Sequence, residues 1–183
     1  NQLNENINKY LAYTKYIYES LSNQYKDEEE KVKIKLEKTI NEIFSSLYND
    51  RLFLELDNTY KVKIFAKTKD GIKTKIETSS GQTSAVILAF ISGVIKMARE
   101  STQSQNAMLF SEPYPLVMDA PLSDFDKDRI KTICEILPTI AEQMIIFIND
   151  KDEEIAEQYL ASKTELKYIF DKKNEFETHL MEN

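Results

Sequence analysis

Two short, wholly apolar segments constrain the fold of this chain more than any other feature. They read "LVM" at 116–118 and "MIIFI" at 144–148, and the helical pattern "FDKDRIKTICEIL" lies between them. Two such strands joined through a helix predict a parallel sheet that is buried on both faces. Asp119 and Asn149 follow the two strands, at the edge where parallel sheets bind ligands. We therefore expect a metal–phosphate site there, with Asp119 holding Mg²⁺; a purely structural acid at the strand end is the alternative.

The first 49 residues contain no glycine or proline and predict one long helix over residues 3–49. Its mostly apolar seam residues follow the spacing of a coiled coil, are interrupted by "KDEEEK" and resume in a shifted phase. They are Leu3, Ile7, Tyr10, Thr14, Ile17 and Leu21, and then Val32, Leu36, Ile40, Ile43 and Leu47. Such a seam needs a partner helix; the alternative is an amphipathic helix that packs on its own domain.

Three segments with alternating apolar residues follow: "RLFLELD", "YKVKIFAK" and "IKTKIE". Asp70-Gly71 between the last two is a hairpin signal, because glycine tolerates the positive φ of a primed turn. The region is rich in lysine, and we expect the lysines on both faces of the ribbon: Lys61, Lys63, Lys67, Lys69, Lys73 and Lys75. They either solvate and protect an edge of the hairpin or contact nucleic-acid phosphates.

The sequence "SSGQ" at 79–82 stands at the start of a helix predicted over residues 82–99. That helix is apolar on most of its surface, which predicts that it is buried. Ser79 and Ser80 can cap it, and Gly81 lets a ligand approach the backbone closely. Free N–H groups at a helix start bind phosphate, so this is a second candidate site; an ordinary serine cap is the alternative.

Composition narrows the classes of function. The net charge of −7 argues against a surface coated with basic residues for nucleic acid. Cys134 and His179 are each the only residue of their kind, so neither an internal disulfide nor a zinc site is expected, and the cytoplasm is the default compartment. No run of about 18 uncharged apolar residues occurs, so no membrane span is predicted. A helix at "DEEIAEQYLA" and a hairpin from "LKYIFD" and "FETHLM" complete the predicted elements.

Four motifs in this order resemble the ATP-binding-cassette (ABC) heads of the structural-maintenance-of-chromosomes (SMC) class and of related DNA-repair coiled-coil ATPases. "TSSGQ" resembles the signature motif, "LVMDA" the Walker B strand, "LSDFD" the D-loop and "IFIND" the switch loop. The resemblance covers essentially the whole chain and implies ATP and Mg²⁺ as cofactors. It implies these residue roles: Asp119 for Mg²⁺ and catalysis, Asn149 for catalysis where histidine is usual, Asp126 as the D-loop aspartate, and Ser79, Ser80, Gly81 and Gln82 for ATP held by the opposite head.

The resemblance implies an α/β fold, the C-terminal lobe of a P-loop ABC-type ATPase head. This lobe has a parallel sheet flanked by helices, antiparallel hairpins and an N-terminal coiled-coil helix. Residues 1–49 would form the root of the coiled-coil arm, and residues 50–183 the lobe. No G-x-x-x-x-G-K-[ST] motif occurs, so the N-terminal half with Walker A is expected from another segment or another chain. This chain alone is not expected to hydrolyse ATP.

The sequence departs from the family pattern directly after the Walker B aspartate. Family members usually have a glutamate there, which polarises the attacking water, whereas this chain has Ala120. Thr78 and Ser80 also stand where leucine and glycine are usual. The pattern "DAPLSDFD" looks closer to the anti-phage branch, such as the ATPases of Dnd phosphorothioation and Lamassu defence systems. An engineered replacement of the glutamate by alanine would give the same sequence.

The resemblance implies that two heads dimerise on shared ATP, clamp or sense DNA, and gate a nuclease or another effector. The alternative is a nucleotide-gated DNA-binding scaffold with little or no ATP hydrolysis, which Ala120 and Asn149 favour. A coiled-coil interaction module with an α/β cap would leave the order of the motifs unexplained.

Overall fold

The computed structural model describes residues 2–48, 51–68, 73–102 and 115–182. Its contacts divide the chain into two compact units, the first made of residues 1–78 and 88–94 and the second of residues 79–87 and 95–183. Each unit combines helices with a sheet, which confirms the predicted α/β class.

Helix α1, Gln2–Leu47, is uninterrupted, as the sequence predicts. Its C-terminal part packs in the first unit, where four of its apolar side chains are buried: Leu36, Ile40, Phe44 and Leu47. Its N-terminal part is exposed, including the apolar side chains of Ile7, Leu11 and Leu21. The alternative, an amphipathic helix that packs on its own domain, therefore holds for the C-terminal part of α1. The exposed apolar residues of the N-terminal part form a surface that a coiled-coil partner would cover.

Strands β1 (Leu52–Leu56), β2 (Val62–Lys67) and β3 (Lys73–Lys75) form an antiparallel sheet in chain order, as predicted. One face of this sheet is buried through Leu54, Leu56 and Ile64, and β1 packs against α1. The predicted Asp70-Gly71 turn and Lys69 lie outside the described residues.

The lysines of this sheet share one face, and the prediction that they lie on both faces is wrong. Lys67 is opposite Lys73, and Lys75 is opposite Phe65. Paired residues point to the same side of a sheet, and so do residues two apart along a strand. Lys63, Lys67, Lys73 and Lys75 therefore line the face opposite the buried one. The prediction failed because the register pairs odd-numbered with odd-numbered residues, which the sequence alone does not reveal.

Helix α2, Ser80–Thr102, begins before and ends after the predicted bounds. In the first unit it approaches α1 closely at Gly93, which is buried. A Cβ atom on Gly93 would lie 2.7 Å from Cγ2 of Ile40 and 3.4 Å from Cδ1 of Leu36. The absence of a side chain at Gly93 is therefore what lets these two helices pack.

The prediction that α2 is buried all round is wrong in part. Ala85, Leu88 and Ala89 are buried, but other apolar side chains are exposed: Ile87 by 54%, Ile91 by 38% and Val94 by 44%. By length and composition alone, α2 is also apolar enough to cross a membrane. The same length and composition also fit a helix whose exposed apolar side chains are covered by further protein.

The second unit contains a parallel sheet of β4 (Leu116–Asp119) and β5 (Met144–Phe147), joined through α3 (Lys127–Ile140), as the sequence predicts. Helix α4 (Asp150–Leu160) and a short 3-10 turn (Ala161–Lys163) follow. The predicted final hairpin is confirmed as β6 (Tyr168–Lys172) and β7 (Thr178–Glu182).

One face of the β4–β5 sheet is open, whereas the sequence predicts burial on both faces. Alternate side chains are exposed: Val117 by 57%, Ile145 by 45% and Phe147 by 39%. Their neighbours Met118 and Ile146 point the other way and are half-buried. The prediction is wrong because the described part of the chain covers this face only in part, through the Phe170 ring, whose centroid lies 6.0 Å from that of Phe147.

Helix α3 continues past Pro138, where the sequence predicts its end. A proline has no N–H to bond the carbonyl four residues earlier, which is that of Cys134. The Lys163 ammonium instead donates to the Cys134 carbonyl at 3.2 Å. Arg99 donates to the carbonyl of Ile140, the last residue of the helix, at 3.1 Å. Side chains from elsewhere in the second unit thus satisfy the carbonyls around the proline.

Candidate functional site

Ser79 and Gln82 form a reciprocal capping box at the start of α2. The Ser79 N–H donates to the Gln82 side-chain oxygen at 3.0 Å, and the Gln82 N–H donates to the Ser79 hydroxyl at 3.3 Å. The Thr83 N–H then bonds the Ser79 carbonyl at 2.9 Å. The expectation of a serine cap is confirmed, with Ser79 as the capping residue and Ser80 as the first helical residue.

The first turn of α2 is also suited to an anion. The N–H groups of Ser80 and Gly81 precede the first bond within the helix, and such groups have no intrahelical acceptor. The helix dipole places partial positive charge at the same end. Ser80 is exposed and Gly81 half-buried, so a phosphate could reach both N–H groups. The role of residues 79–82 in nucleotide binding remains a prediction.

Asp119 ends β4 with an exposed side chain, and the loop 120–126 follows. Ala120 has a φ of 45°, in the left-handed region that costs about 1–3 kcal/mol for a residue other than glycine. Its N–H donates to the Phe147 carbonyl at 2.9 Å, and buried Leu122 anchors the loop. The backbone after Asp119 is therefore held in one strained position.

Two side-chain hydrogen bonds connect the loop 120–126 to the other motifs within the second unit. The Ser84 hydroxyl, in the second turn of α2, donates to the Asp124 carboxylate at 2.5 Å. The Asn149 amide donates to the Ser123 hydroxyl at 2.7 Å, and the Lys151 ammonium donates to the Ser123 carbonyl at 3.2 Å. The starts of α2 and α4 and the loop after β4 thus belong to one hydrogen-bonded network.

Asp126 has a clear structural role as the N-cap of α3. Its carboxylate accepts a hydrogen bond from the Arg129 N–H at 3.0 Å and pairs with the Arg129 guanidinium. Asp124, two residues earlier, is the acid that contacts α2. Sequence reasoning missed Asp124 and its bonded neighbours Ser84, Ser123 and Lys151. An aspartate directly before a helical pattern is an N-cap signal, and that signal identifies Asp126.

Asp119 and Asn149 lie near each other along the same edge of the sheet, as predicted. Asp119 pairs with Phe147, two residues before Asn149. Among the residues that the structure describes, no three or more histidine, cysteine, aspartate or glutamate side chains form a metal cluster. Mg²⁺ at phosphate sites uses one or two carboxylates together with water and phosphate oxygens. Asp119 therefore fits a Mg²⁺ ion that arrives with a nucleotide, and does not fit a metal held by protein alone.

The lysines predicted to bind nucleic acid lie in the first unit. Lys61 is exposed just before β2, and Lys63 pairs with Asp57 at 3.2 Å. The ammonium groups of Lys67 and Lys73 lie 5.4 and 5.3 Å from the centroid of the Phe53 ring. Lys75 is exposed on the same face. The structure thus places two of these side chains, those of Lys67 and Lys73, over an aromatic ring.

Solved structures of SMC head domains share this fold. One, from work on ATP-driven dimerisation and DNA-stimulated activation of SMC ATPases, has a TM-score of 0.54 at 17% identity, over 88% of this chain and 88% of that chain. The Smc head domain from Pyrococcus furiosus, with an extended coiled coil and bound to the C-terminal domain of ScpA, has a TM-score of 0.55 at 16% identity over 81% of this chain.

An Smc head bound to the C-winged helix domain of ScpA has a TM-score of 0.56 at 15% identity over 82% of this chain. The matches span only 34% of the Pyrococcus furiosus chain and 43% of the Smc chain bound to the C-winged helix domain of ScpA. No protein-family model and no curated protein matches the sequence. At these identities the similarity shows the fold, and it confirms the SMC-type head fold that the sequence predicts.

Proposed function

We propose that this chain is the C-terminal lobe of an SMC-like ATPase head. It joins an N-terminal lobe that carries Walker A, binds ATP and Mg²⁺, and dimerises head to head on the nucleotide to clamp or sense DNA. The observation that carries the proposal is the open apolar face of the β4–β5 sheet.

Parallel sheets are ordinarily covered on both faces, and a two-stranded sheet is marginally stable by itself. Full burial of an exposed side chain such as Val117, Ile145 or Phe147 stabilises a protein by about 1.5–3 kcal/mol. Strands and helices of a Walker A lobe would cover this face and extend the sheet. Ile87 of α2, exposed by 54%, is a further apolar contact for such a layer.

In the completed head, the edge of the sheet would meet the nucleotide. Asp119 would hold the Mg²⁺, which supplies positive charge to the phosphates. The exposed start of α2, with the N–H groups of Ser80 and Gly81, would contact the terminal phosphate of the nucleotide held by the opposite head. Because only the closed dimer contacts the nucleotide from both sides, ATP would shift the population towards closure.

Little or no hydrolysis is the second candidate, and two observations favour it. Ala120 cannot accept a proton from water, and the Asn149 amide is bonded to Ser123. A head of this kind would act as a nucleotide-gated DNA-binding scaffold. In either case, gating of a nuclease or another effector in anti-phage defence is the finer proposal, supported by the small residue at position 120.

The test combines this chain with its Walker A half and measures ATP turnover, with and without DNA, and dimerisation by light scattering. We expect ATP-dependent dimers that Asp119→Asn weakens or abolishes. Glu175→Gln, which changes an exposed acid in the β6–β7 turn, serves as the matched control and should leave both measurements unchanged.

Turnover separates the two candidates. Hydrolysis that Asp119→Asn stops would establish an ATPase that works without the usual glutamate. Hydrolysis only after Ala120→Glu would establish the scaffold. Heads that stay monomeric with ATP, in the parent and in Ala120→Glu alike, would refute both.

A further inference from the structure

The face of the β1–β3 sheet opposite the buried one combines aromatic rings with lysines. We name it the lysine–phenylalanine face and define it by Phe53, Phe65, Lys63, Lys67, Lys73 and Lys75. We propose that this face binds single-stranded nucleic acid, with bases stacked on the two phenylalanines and phosphates held by the lysines. This deepens the nucleic-acid part of the proposed function but rests on the first unit alone.

The two aromatic side chains form a ready platform. Phe53 and Phe65 are directly opposite each other on β1 and β2, with ring centroids 5.7 Å apart and an angle of 24° between the rings. Both rings are half-buried. A phenylalanine pair on the outer face of a sheet can simply strengthen the pairing of the strands. Here, however, two ammonium groups lie over the Phe53 ring, which a purely structural role does not require.

The charge of this face is positive in a chain whose net charge is −7. Among the described residues of its three strands, its four lysines stand against one acid on the same face, Glu55, which pairs with Lys73. Asp57, just beyond the end of β1, pairs with Lys63. Lys67 and Lys75 remain exposed at one side of the face. A polyanion is therefore the complementary partner.

The contacts with Phe53 favour bases over other anionic partners. The Lys67 and Lys73 ammonium groups lie within cation–π distance of this ring, at 5.4 and 5.3 Å. When phosphates draw these ammonium groups outward, the ring face becomes available to another flat π system. Unpaired bases provide both the phosphates and the flat faces, whereas the bases of a duplex are stacked on one another inside it.

Binding is measured by fluorescence anisotropy without nucleotide, with labelled oligo-dT and a labelled duplex of equal length over a range of salt concentrations. Because no ATP is present, a failure of the nucleotide site leaves this measurement unaffected. We expect oligo-dT to bind more tightly than the duplex.

Two kinds of variant separate the two kinds of contact. Lys67→Gln with Lys75→Gln should lower the affinity for oligo-dT about tenfold and reduce the slope of log affinity against log salt by about 1.4, since each phosphate contact to a single strand contributes about 0.7. Phe53→Leu should lower the affinity about fivefold or more and leave the slope unchanged, because stacking is worth about 1–3 kcal/mol per base.

Matched controls guard against non-specific effects. Lys26→Gln with Lys131→Gln removes two exposed lysines from α1 and α3 and should leave binding unchanged. Phe53→Tyr keeps an aromatic ring and should retain binding where Phe53→Leu loses it. Equal losses in the control lysine pair, no effect of Phe53→Leu, tighter binding of the duplex, or no binding at all would each overturn the proposal.

Discussion

The Asn149 amide donates a hydrogen bond to the Ser123 hydroxyl over 2.7 Å, which joins the residue after β5 to the loop after β4. The same loop is held from the other side by the bond from Ser84 to Asp124. A ligand that displaced the loop would therefore act on the starts of both α2 and α4. The network offers a physical route by which events at one motif reach the others.

The Ser84–Asp124 bond gives the first prediction. A double-mutant cycle of Ser84→Ala and Asp124→Asn should show a coupling of about 0.5–1.5 kcal/mol, because the acceptor is charged but exposed to solvent. Urea unfolding measures it. The pair Thr132→Ala and Asp124→Asn is the control, since Thr132 bonds its own helix through the Asp128 carbonyl and should not couple. Strictly additive effects in the first cycle would show that the contact has no influence on stability.

The second prediction concerns the contact between α1 and α2. Gly93→Ala should destabilise the protein by about 1–2 kcal/mol, because the added methyl group meets buried Ile40 and the gain in helix propensity offsets only part of the overpacking. Ser92→Ala is the matched variant at the neighbouring position. The buried Ser92 hydroxyl has no hydrogen-bond partner within the described structure, so its removal should stabilise by about 1 kcal/mol.

Denaturant midpoints of the two variants should therefore move in opposite directions. A Gly93→Ala variant as stable as the parent would contradict the prediction, because α1 and α2 would then have moved apart without loss of stability.

The third prediction tests whether Lys163 compensates for Pro138. Lys163→Met should destabilise by about 1 kcal/mol, because it leaves the part-buried Cys134 carbonyl unsatisfied. Pro138→Ala restores a backbone N–H that can bond this carbonyl. In that background Lys163→Met should have little effect. An effect of Lys163→Met that is equal in both backgrounds, measured by urea unfolding, would contradict the assignment.

The fourth prediction is a dependence of stability on pH. The Asp57 carboxylate accepts hydrogen bonds from the Thr59 hydroxyl and the N–H groups of Thr59 and Lys61, with the Thr59 hydroxyl the largest cause, and these hold its pKa well below the usual range. A depressed pKa stabilises the fold above the pKa of the unfolded state, about 3.9. This contribution should be complete above that pH and fall as the pH drops further.

Two variants check the sign in acid-unfolding curves. Asp57→Asn should remove the pH-dependent contribution of this residue. Thr59→Ala removes one donor, so the pKa of Asp57 should rise and the loss of stability should begin at higher pH. A Thr59→Ala curve that coincides with that of the parent would show that the loop does not influence the ionisation of Asp57.

Local patterns predicted the elements of this fold well. The glycine- and proline-free run gave α1, and the apolar segments before Asp119 and Asn149 gave two adjacent parallel strands, because both signals depend on neighbouring residues alone. Which face of a sheet a side chain occupies, and whether that face is buried, depends on more than neighbouring residues. The side on which Lys67 and Lys73 lie follows from strand register, and the exposure of Val117 and Phe147 follows from what packs above them.

The site was predicted at the level of segments but not of side chains. The motif "LSDFD" was identified, yet it contains two aspartates with different partners: Asp126 caps α3, and Asp124 bonds Ser84 on α2. The cap is readable from the sequence, since it precedes a helical pattern. The bond to Ser84 joins residues 40 positions apart and follows only from the tertiary structure.

The open face of the β4–β5 sheet has a consequence for how much of this protein a cell can hold. If a Walker A lobe covers Val117 and Phe147, as we propose, copies made without that lobe would expose an apolar surface of the kind that chaperones and proteases act on. Copies that pair with that lobe would be protected. The amount of folded protein would then follow the supply of its covering lobe, so that the stoichiometry of the two is set by selective survival and not by their rates of synthesis.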